Sequence, residues 1–362
     1  MDWRSNMKLA RFVPVLVLAG LILMACGGST GGGTTAKKIA LLLPEATTAR
    51  YDTKDMPYFR DKLKQLCSDC QLLYSNAKQD APTQQTQAEA AITNGASVIV
   101  LDPVDGAAAA AIVTKAKAAN IPVISYDRLI LNTADLNYYL SFDNAAVGAL
   151  QGNALLTAMG SKTNPQIVEI NGDPADNNAK LFKQGAHSVL DGKVKYGKEY
   201  DTPGWKPDNA QKEMQGALVA LSNKVDGVLA ANDGTAGGAI AAMKAAGLKP
   251  LPPITGQDAE LAAIQRIVVG DQTMTVYKAI KAEAEAAAQL AYDLAFGVAV
   301  PSSMTNGKTV NNGKADVPSV LLTPVAVTKA NIQSTVVADG FWTAADICTS
   351  QYASACAAAG IS

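Results

Sequence analysis

Val98-Ile99-Val100-Leu101 followed by Asp102, an alanine-rich stretch at 106–119 ending in Ala118-Ala119-Asn120-Ile121-Pro122, then Val123-Ile124-Ser125-Tyr126 followed by Asp127-Arg128: this passage decides the fold. The two apolar runs are short, nearly continuous and rich in β-branched residues, which is the pattern of strands buried on both faces of a parallel sheet. The stretch between them has helical apolar spacing and stops at Asn and Pro. Strand, helix and strand in that order make one crossover unit. The same alternation extends in both directions. Ile39-Ala40-Leu41-Leu42-Leu43, Ile167-Val168-Glu169-Ile170 and Val228-Leu229-Ala230-Ala231 read as further strands, and 83–94, 145–159, 179–190 and 234–246 as further helices. The predicted fold class is therefore α/β, with doubly wound parallel sheets covered by helices on both faces.

The chain has 362 residues, 48% of them hydrophobic and 17% charged, enough for about two folded cores and too apolar for a disordered protein. Lysines and arginines number 31 against 32 acids, a net charge of −1, so no basic excess exists to neutralise nucleic-acid phosphates. Residues 1–11 carry Arg4, Lys8 and Arg11 against Asp2 alone, and an apolar run at 12–24 leads into Leu23-Met24-Ala25-Cys26. That is the outline of a secretory signal, residues 1–25, and a membrane span needs about 20 apolar residues where this run has 13. Cys26 resembles the lipidated first residue of a bacterial lipoprotein; a plain signal with Cys26 incidental is the other reading. A glycine-rich tether completes residues 26–36. In an exported chain the two sequence-local pairs Cys67/Cys70 and Cys348/Cys356 are expected as disulfides, with half a zinc site or a redox pair as the alternative for Cys67-Ser68-Asp69-Cys70. His187, the chain's one histidine, falls within an expected helix in a solvated or packed role.

In open parallel sheets ligands sit beyond the carboxyl ends of the strands, so the strand exits are where function is read. They carry 45–51, Asp102, Asp127-Arg128, Asp143-Asn144, 173–178, Asn232-Asp233, Gln257-Asp258 and Lys278. Asp and Asn are common helix caps, but Arg50, Arg128, Gln257 and Lys278 are not. Mixed donors and acceptors suit vicinal hydroxyls, and Tyr51, Phe142 and Trp205 offer flat faces to the C–H side of a sugar ring. No dinucleotide, Walker-type or calcium-loop motif follows a strand, so no cofactor and no metal are expected.

The stretches Ala49-Arg50-Tyr51, Tyr126-Asp127-Arg128, Ser141-Phe142-Asp143-Asn144, Asp176-Asn177-Asn178, Gly204-Trp205, Asn232-Asp233-Gly234-Thr235, Gly256-Gln257-Asp258 and Val276-Tyr277-Lys278 resemble the periplasmic sugar-binding proteins of ABC importers, of the D-xylose-binding type. The resemblance implies a type I periplasmic binding protein fold, two α/β lobes joined by three crossover segments. It places 37–142 plus 279–309 in the N-terminal lobe, 143–277 plus 311–339 in the C-terminal lobe, and 340–362 in an extension outside the family core. It further implies sugar binding by Arg50, Tyr51, Asp127, Arg128, Asp176, Asn177, Trp205, Asn232, Asp258 and Lys278. Thr47-Thr48-Ala49 stands where the xylose-binding type has a Leu-Arg-Leu-Glu-like run, and Tyr51 where it has Trp, which leaves the aldose open. The implied partners are a monosaccharide and an ABC permease, with membrane contact through the lipid anchor alone, on a monomer outside the cytoplasm. A sensor that presents sugar to a chemoreceptor or kinase is a variant of this reading. A secreted carbohydrate enzyme with paired acids among Asp127, Asp176, Asp233 and Asp258 is the alternative of another class. A two-lobed repressor fails, because signal and tether fill the place of a DNA-binding domain.

Overall fold

The structure is a computed structural model that describes residues 36–362; the leader, Cys26 and the tether up to Thr35 lie outside the described residues. In chain order the strands are β1 (Lys38–Leu43), β2 (Gln71–Asn76), β3 (Val98–Leu101), β4 (Val123–Tyr126), β5 (Tyr138–Phe142) and β6 (Gln166–Asn171). They continue with β7 (Lys195–Asp201), β8 (Gly227–Ala230), β9 (Met274–Tyr277), β10 (Thr309–Asn311), β11 (Asp316–Leu322) and β12 (Val325–Thr328). The longer helices are α1 (Met56–Leu66), α2 (Ala81–Thr93), α3 (Ala110–Ala118), α4 (Asn144–Met159), α5 (Asn177–Leu190), α6 (Pro207–Ala220), α7 (Asp233–Ala245), α8 (Leu261–Val269) and α9 (Ile280–Phe296).

One sheet runs β10-β11-β5-β4-β3-β1-β2, parallel except for the β10 edge. Alternation of side chains along a strand divides its core in two. Ile39, Leu41 and Leu43 of β1 face α1 and α9, packing with Phe59, Leu63, Ala287 and Ala291. Ala40 and Leu42 face α2 and α3, packing with Ala88, Ala91, Ile112 and Val113. In the second lobe β7-β6-β8 form a sheet and β9 pairs antiparallel with β12. The irregular segment 253–258 joins the two: Thr255 N donates to Val228 O at 3.1 Å, and Val276 N donates to Gly256 O at 3.1 Å. Val168, Ile170, Val228 and Ala230 pack on α6 and α7, while Ile167 and Leu229 pack on α4 and α5.

The chain passes between lobes three times, from β5 to α4, from β9 to α9 and from β11 to β12, and two of these passages touch where Asp143 N donates to Leu322 O at 2.9 Å. The expected lobe boundaries need one correction. Residues 311–322, placed by sequence in the C-terminal lobe, belong to the first sheet, because β11 pairs in parallel with β5 from Ser319↔Tyr139 to Leu322↔Phe142 and buries Val317 and Val320 there. Residues 340–362, expected as an extension outside the family core, pack on the second lobe: Phe341, Ile347, Cys356 and Ile361 are buried against Ile264, Ile267, Val268 and Val336. Cys67 pairs with Cys70 and Cys348 with Cys356, as local disulfides. Strands β2 and β7 escaped the sequence reading because as sheet edges they are only partly buried and lack a continuous apolar run. Among the described residues no helix is long and apolar enough to cross a membrane.

Helices α4 and α5 meet through reciprocal glycines. A Cβ at Gly148 would stand 1.8 Å from Phe182 O, and one at Gly185 would stand 2.0 Å from Ala145 O. Both meetings are with backbone, which cannot swing aside. Gly148→Ala should therefore lower stability by about 1–3 kcal/mol, read as an earlier urea midpoint at unchanged slope; an unmoved midpoint would refute this close approach.

Candidate functional site

Strand exits of both lobes converge on one hollow, lined by Thr48, Arg50, Tyr51, Asp127, Arg128, Asp176, Asn178, Phe182, Trp205, Asn232, Gln257, Asp258 and Lys278. Nine of the ten residues expected in a sugar site are brought together here. The tenth, Asn177, is the first residue of α5 and does not line the hollow. Its neighbour Asn178 does, because Asp176 caps the helix by accepting from Asn178 N at 2.8 Å, and the turn that follows points Asn178 and Phe182, four residues on, to the same side. Phe142, expected as a stacking face, is instead buried beneath Lys278, whose ammonium stands 5.7 Å from its ring centre.

Arg50 begins the turn Tyr51–Asp55 after β1 and is buried. Its Nε donates to Asp55 Oδ2 at 2.9 Å, Nη2 donates to Asp55 Oδ1 at 2.6 Å and to Glu283 Oε2 at 2.7 Å, and Nη1 lies 2.7 Å from Asp127 Oδ2. Tyr126 also donates its hydroxyl to Asp55 Oδ1, at 2.5 Å. Arg128 reaches across the cleft, with Nε 3.0 Å from Asp176 Oδ2, while Nη2 donates to the Tyr51 hydroxyl at 3.3 Å. Both guanidinium groups sit over the Tyr51 ring, at 5.2 and 5.8 Å, so Tyr51 orients the arginines. From the second lobe, Asn178 Nδ2 donates to Asp127 Oδ1 at 3.0 Å, Trp205 Nε1 donates to Asp176 Oδ2 at 3.2 Å, and Lys278 Nζ pairs with Asp258 Oδ1 at 2.9 Å. The Trp205 ring meets Phe182 edge-on, centres 6.4 Å apart.

Burial and charge set the protonation of this site. Burial pushes the Asp102 and Glu283 carboxyls well above their ordinary range and raises Asp176 as well, against the opposing pull of Arg128 on the two aspartates and of Arg50 on Glu283. Burial also opposes ionisation of Asp127, but Arg50, Lys278 and Arg128 outweigh it and hold that carboxyl below its ordinary value. Asp233, one of the acids of the enzymatic alternative, lies behind the wall; burial raises it to about 7 and it accepts from Gln272 Nε2, Thr275 Oγ1 and the amide of Glu260. Three residues of the hollow adopt left-handed backbone, Asp127 (φ 53°), Trp205 (φ 55°) and Asp258 (φ 93°), a conformation that non-glycine residues adopt at a cost and that concentrates at ligand sites. Gly172 makes the room for Trp205, since a Cβ there would stand 1.9 Å from the indole. Sequence reasoning missed Asp55 and Glu283 behind Arg50. The signal for Glu283 was present, for it falls on the buried stripe Ile280, Ala284, Ala287, Ala291 of α9.

The profile described as "Periplasmic binding protein domain" matches residues 39–298. The chain is 43% identical over 311 residues to a D-xylose-binding periplasmic protein of Escherichia coli K12, covering 84% of this chain and 90% of that protein. It is 36% identical over 285 residues to a multiple sugar-binding periplasmic receptor of Rhizobium radiobacter, covering 73% of this chain and 80% of the relative. An ABC transporter solute binding protein from Clostridium phytofermentans, solved with bound β-D-glucose, superposes with a TM-score of 0.78 at 29% identity, over 86% of this chain and all of that one.

The sign of one pH dependence follows from Asp127. A carboxyl held below its ordinary value of 3.8 contributes stability that is whole above that pH and is lost as pH falls through the depressed value. Asp127→Asn should flatten the fall of melting temperature between about pH 5 and about pH 2; equal acid slopes in variant and unmodified chain would contradict the assignment.

Proposed function

The chain belongs to the periplasmic binding protein family, and on that premise we propose that it captures one neutral monosaccharide, D-xylose or a related aldose, by lobe closure and delivers it to an ABC permease. The observation that carries the reading is that residues lining the hollow hold buried polar atoms without a well-directed hydrogen bond: Arg50 Nη1, Gln257 Oε1 and Asp258 Oδ1. Arg50 and Asp258 do lie at ion-pair distance from Asp127 and Lys278, but off the hydrogen-bonding direction. Leaving such an atom unsatisfied costs about 1–3 kcal/mol, and a hydroxyl that both donates and accepts removes the cost. An epimer with a hydroxyl turned away restores it, which is the basis of selectivity.

Net charge points the same way. The three cations Arg50, Arg128 and Lys278 are each paired with carboxyl groups of the site, and burial pushes the Asp102 and Glu283 carboxyls well above their ordinary range, so no unpaired cation waits for an anionic ligand and the site suits an uncharged ring. Trp205 and Phe182 supply apolar faces. Contacts between Arg128 and Asp176 and between Asn178 and Asp127 cross the cleft, and a sugar held by both walls favours the closed form. The relatives' names and the glucose-bound structure support an aldose; the 43% identity to a D-xylose-binding protein puts D-xylose first. Paired acid–base catalysis is disfavoured, since Asp127, Asp176 and Asp258 each lie at an arginine or lysine. The monomer works outside the cytoplasm, tethered through Cys26.

A thermal-shift panel of aldoses tests the reading. A true ligand at 100 times its Kd stabilises the chain by about 2.7 kcal/mol, and D-xylose should give a large upward shift without chemical change in the sugar. Asp258→Ala and Trp205→Ala should each weaken binding by about 10- to 100-fold in calorimetry. A flat panel, or variants that bind like the unmodified chain, would sink the proposal.

A further inference from the structure

Outside the cleft, β6 and β7 carry two glutamates side by side: Glu169 and Glu199 are register partners on adjacent parallel strands and so project from the same face of the sheet. Helix α5 lies over them, and His187 Nε2 is 3.0 Å from Glu169 Oε2. Ligand-capable atoms of Glu169, His187 and Glu199 all fall within 4.8 Å of one another. His187 is ten residues along α5 from Asn177, about 15 Å from the sugar hollow along the helix axis.

Three observations bear on what this cluster holds. First, the ring is oriented from behind. His187 Nδ1 lies 2.8 Å from Asp191 Oδ1, which also accepts from the Tyr196 hydroxyl at 2.8 Å, and Tyr196 stacks on the imidazole at 4.7 Å and 8°. An aspartate can only accept, so Nδ1 carries a proton, and Nε2 is the ring nitrogen turned toward the Glu169 carboxylate. Two lone pairs 3.0 Å apart repel unless a proton or a cation stands between them. Second, Glu169 is fully buried and its Oε1 has no partner at all. Third, the charges do not balance. Glu169, Glu199 and Asp191 are answered by the Lys183 ammonium, which donates to Glu199.

We propose that Glu169, His187 and Glu199 form a site for one divalent transition-metal ion of the zinc type. One imidazole nitrogen and two carboxylates are donors that zinc accepts, and Asp191 plays the part of the carboxylate that orients a metal-bound histidine through its other nitrogen. Binding cancels the surplus negative charge. The four cysteines among the described residues are paired in disulfides and do not compete.

The chain's lone histidine makes the test clean. Zinc is titrated into the untagged full-length chain and followed by calorimetry in two buffers of different protonation enthalpy, and by the imidazole resonances. One equivalent should bind with proton release and shift the ring signals. His187→Ala should weaken the affinity at least about 10-fold while leaving sugar affinity unchanged, which shows that the variant folds. Lys183→Met removes the competing ammonium and should tighten zinc binding, an effect that a purely structural ion-pair cluster would not produce. Absence of stoichiometric binding, equal zinc affinity in the His187 variant, or an unmoved imidazole would overturn the site.

Discussion

Everything in the cleft depends on keeping charge out of water without leaving it alone. A buried guanidinium costs several kcal/mol of desolvation, recovered only when its donors meet acceptors in good geometry, and removal of one partner from such a group typically costs about 3–5 kcal/mol. Arg50 meets this demand with three carboxylates drawn from different parts of the chain, Asp55 on the turn after β1, Asp127 after β4 and Glu283 on α9. The bonds that hold Arg50 therefore also dock α9 onto the mouth of the first sheet. Acids outnumber cations here, and burial pushes the Glu283 and Asp102 carboxyls well above their ordinary range.

The same network explains how a pocket can be rigid yet wait for a ligand. Arg128 and Asp127 belong to the first lobe, Asp176 and Asn178 to the second, and their contacts exist only when the lobes are together. The three passages between lobes gather on one side, two of them touching at Asp143 and Leu322, so the halves can separate elsewhere without breaking a core. On the proposed function, a neutral polyol that hydrogen-bonds Gln257 and Asp258 shifts that equilibrium by its preference for the closed arrangement.

Much of this was legible in the residues. Continuous apolar runs named β1, β3, β4, β6 and β8, and the resemblance to sugar-binding proteins named nine members of the hollow. The failures have physical causes. Edge strands β2 and β7 are wetted on one side and lose the apolar signature. Asn177 and Asn178 are indistinguishable by type, and only the capping of α5 by Asp176 decides which one enters the cleft. Phe142 and Phe182 are alike in chemistry, but one ends a buried strand and the other faces the hollow from a helix.

The sequence by itself determined the alternation of strand and helix, the position of polar groups at strand exits and the near balance of charge, since these are properties of local pattern and composition. Tertiary structure alone decided that residues 311–322 complete the first sheet, that 340–362 fill the core of the second lobe, and that Glu283 stands behind Arg50. Each of those depends on which surfaces meet across hundreds of residues of chain. Pairing of that kind minimises buried unpaired charge and exposed apolar area for the whole molecule at once, so no local window of sequence contains it.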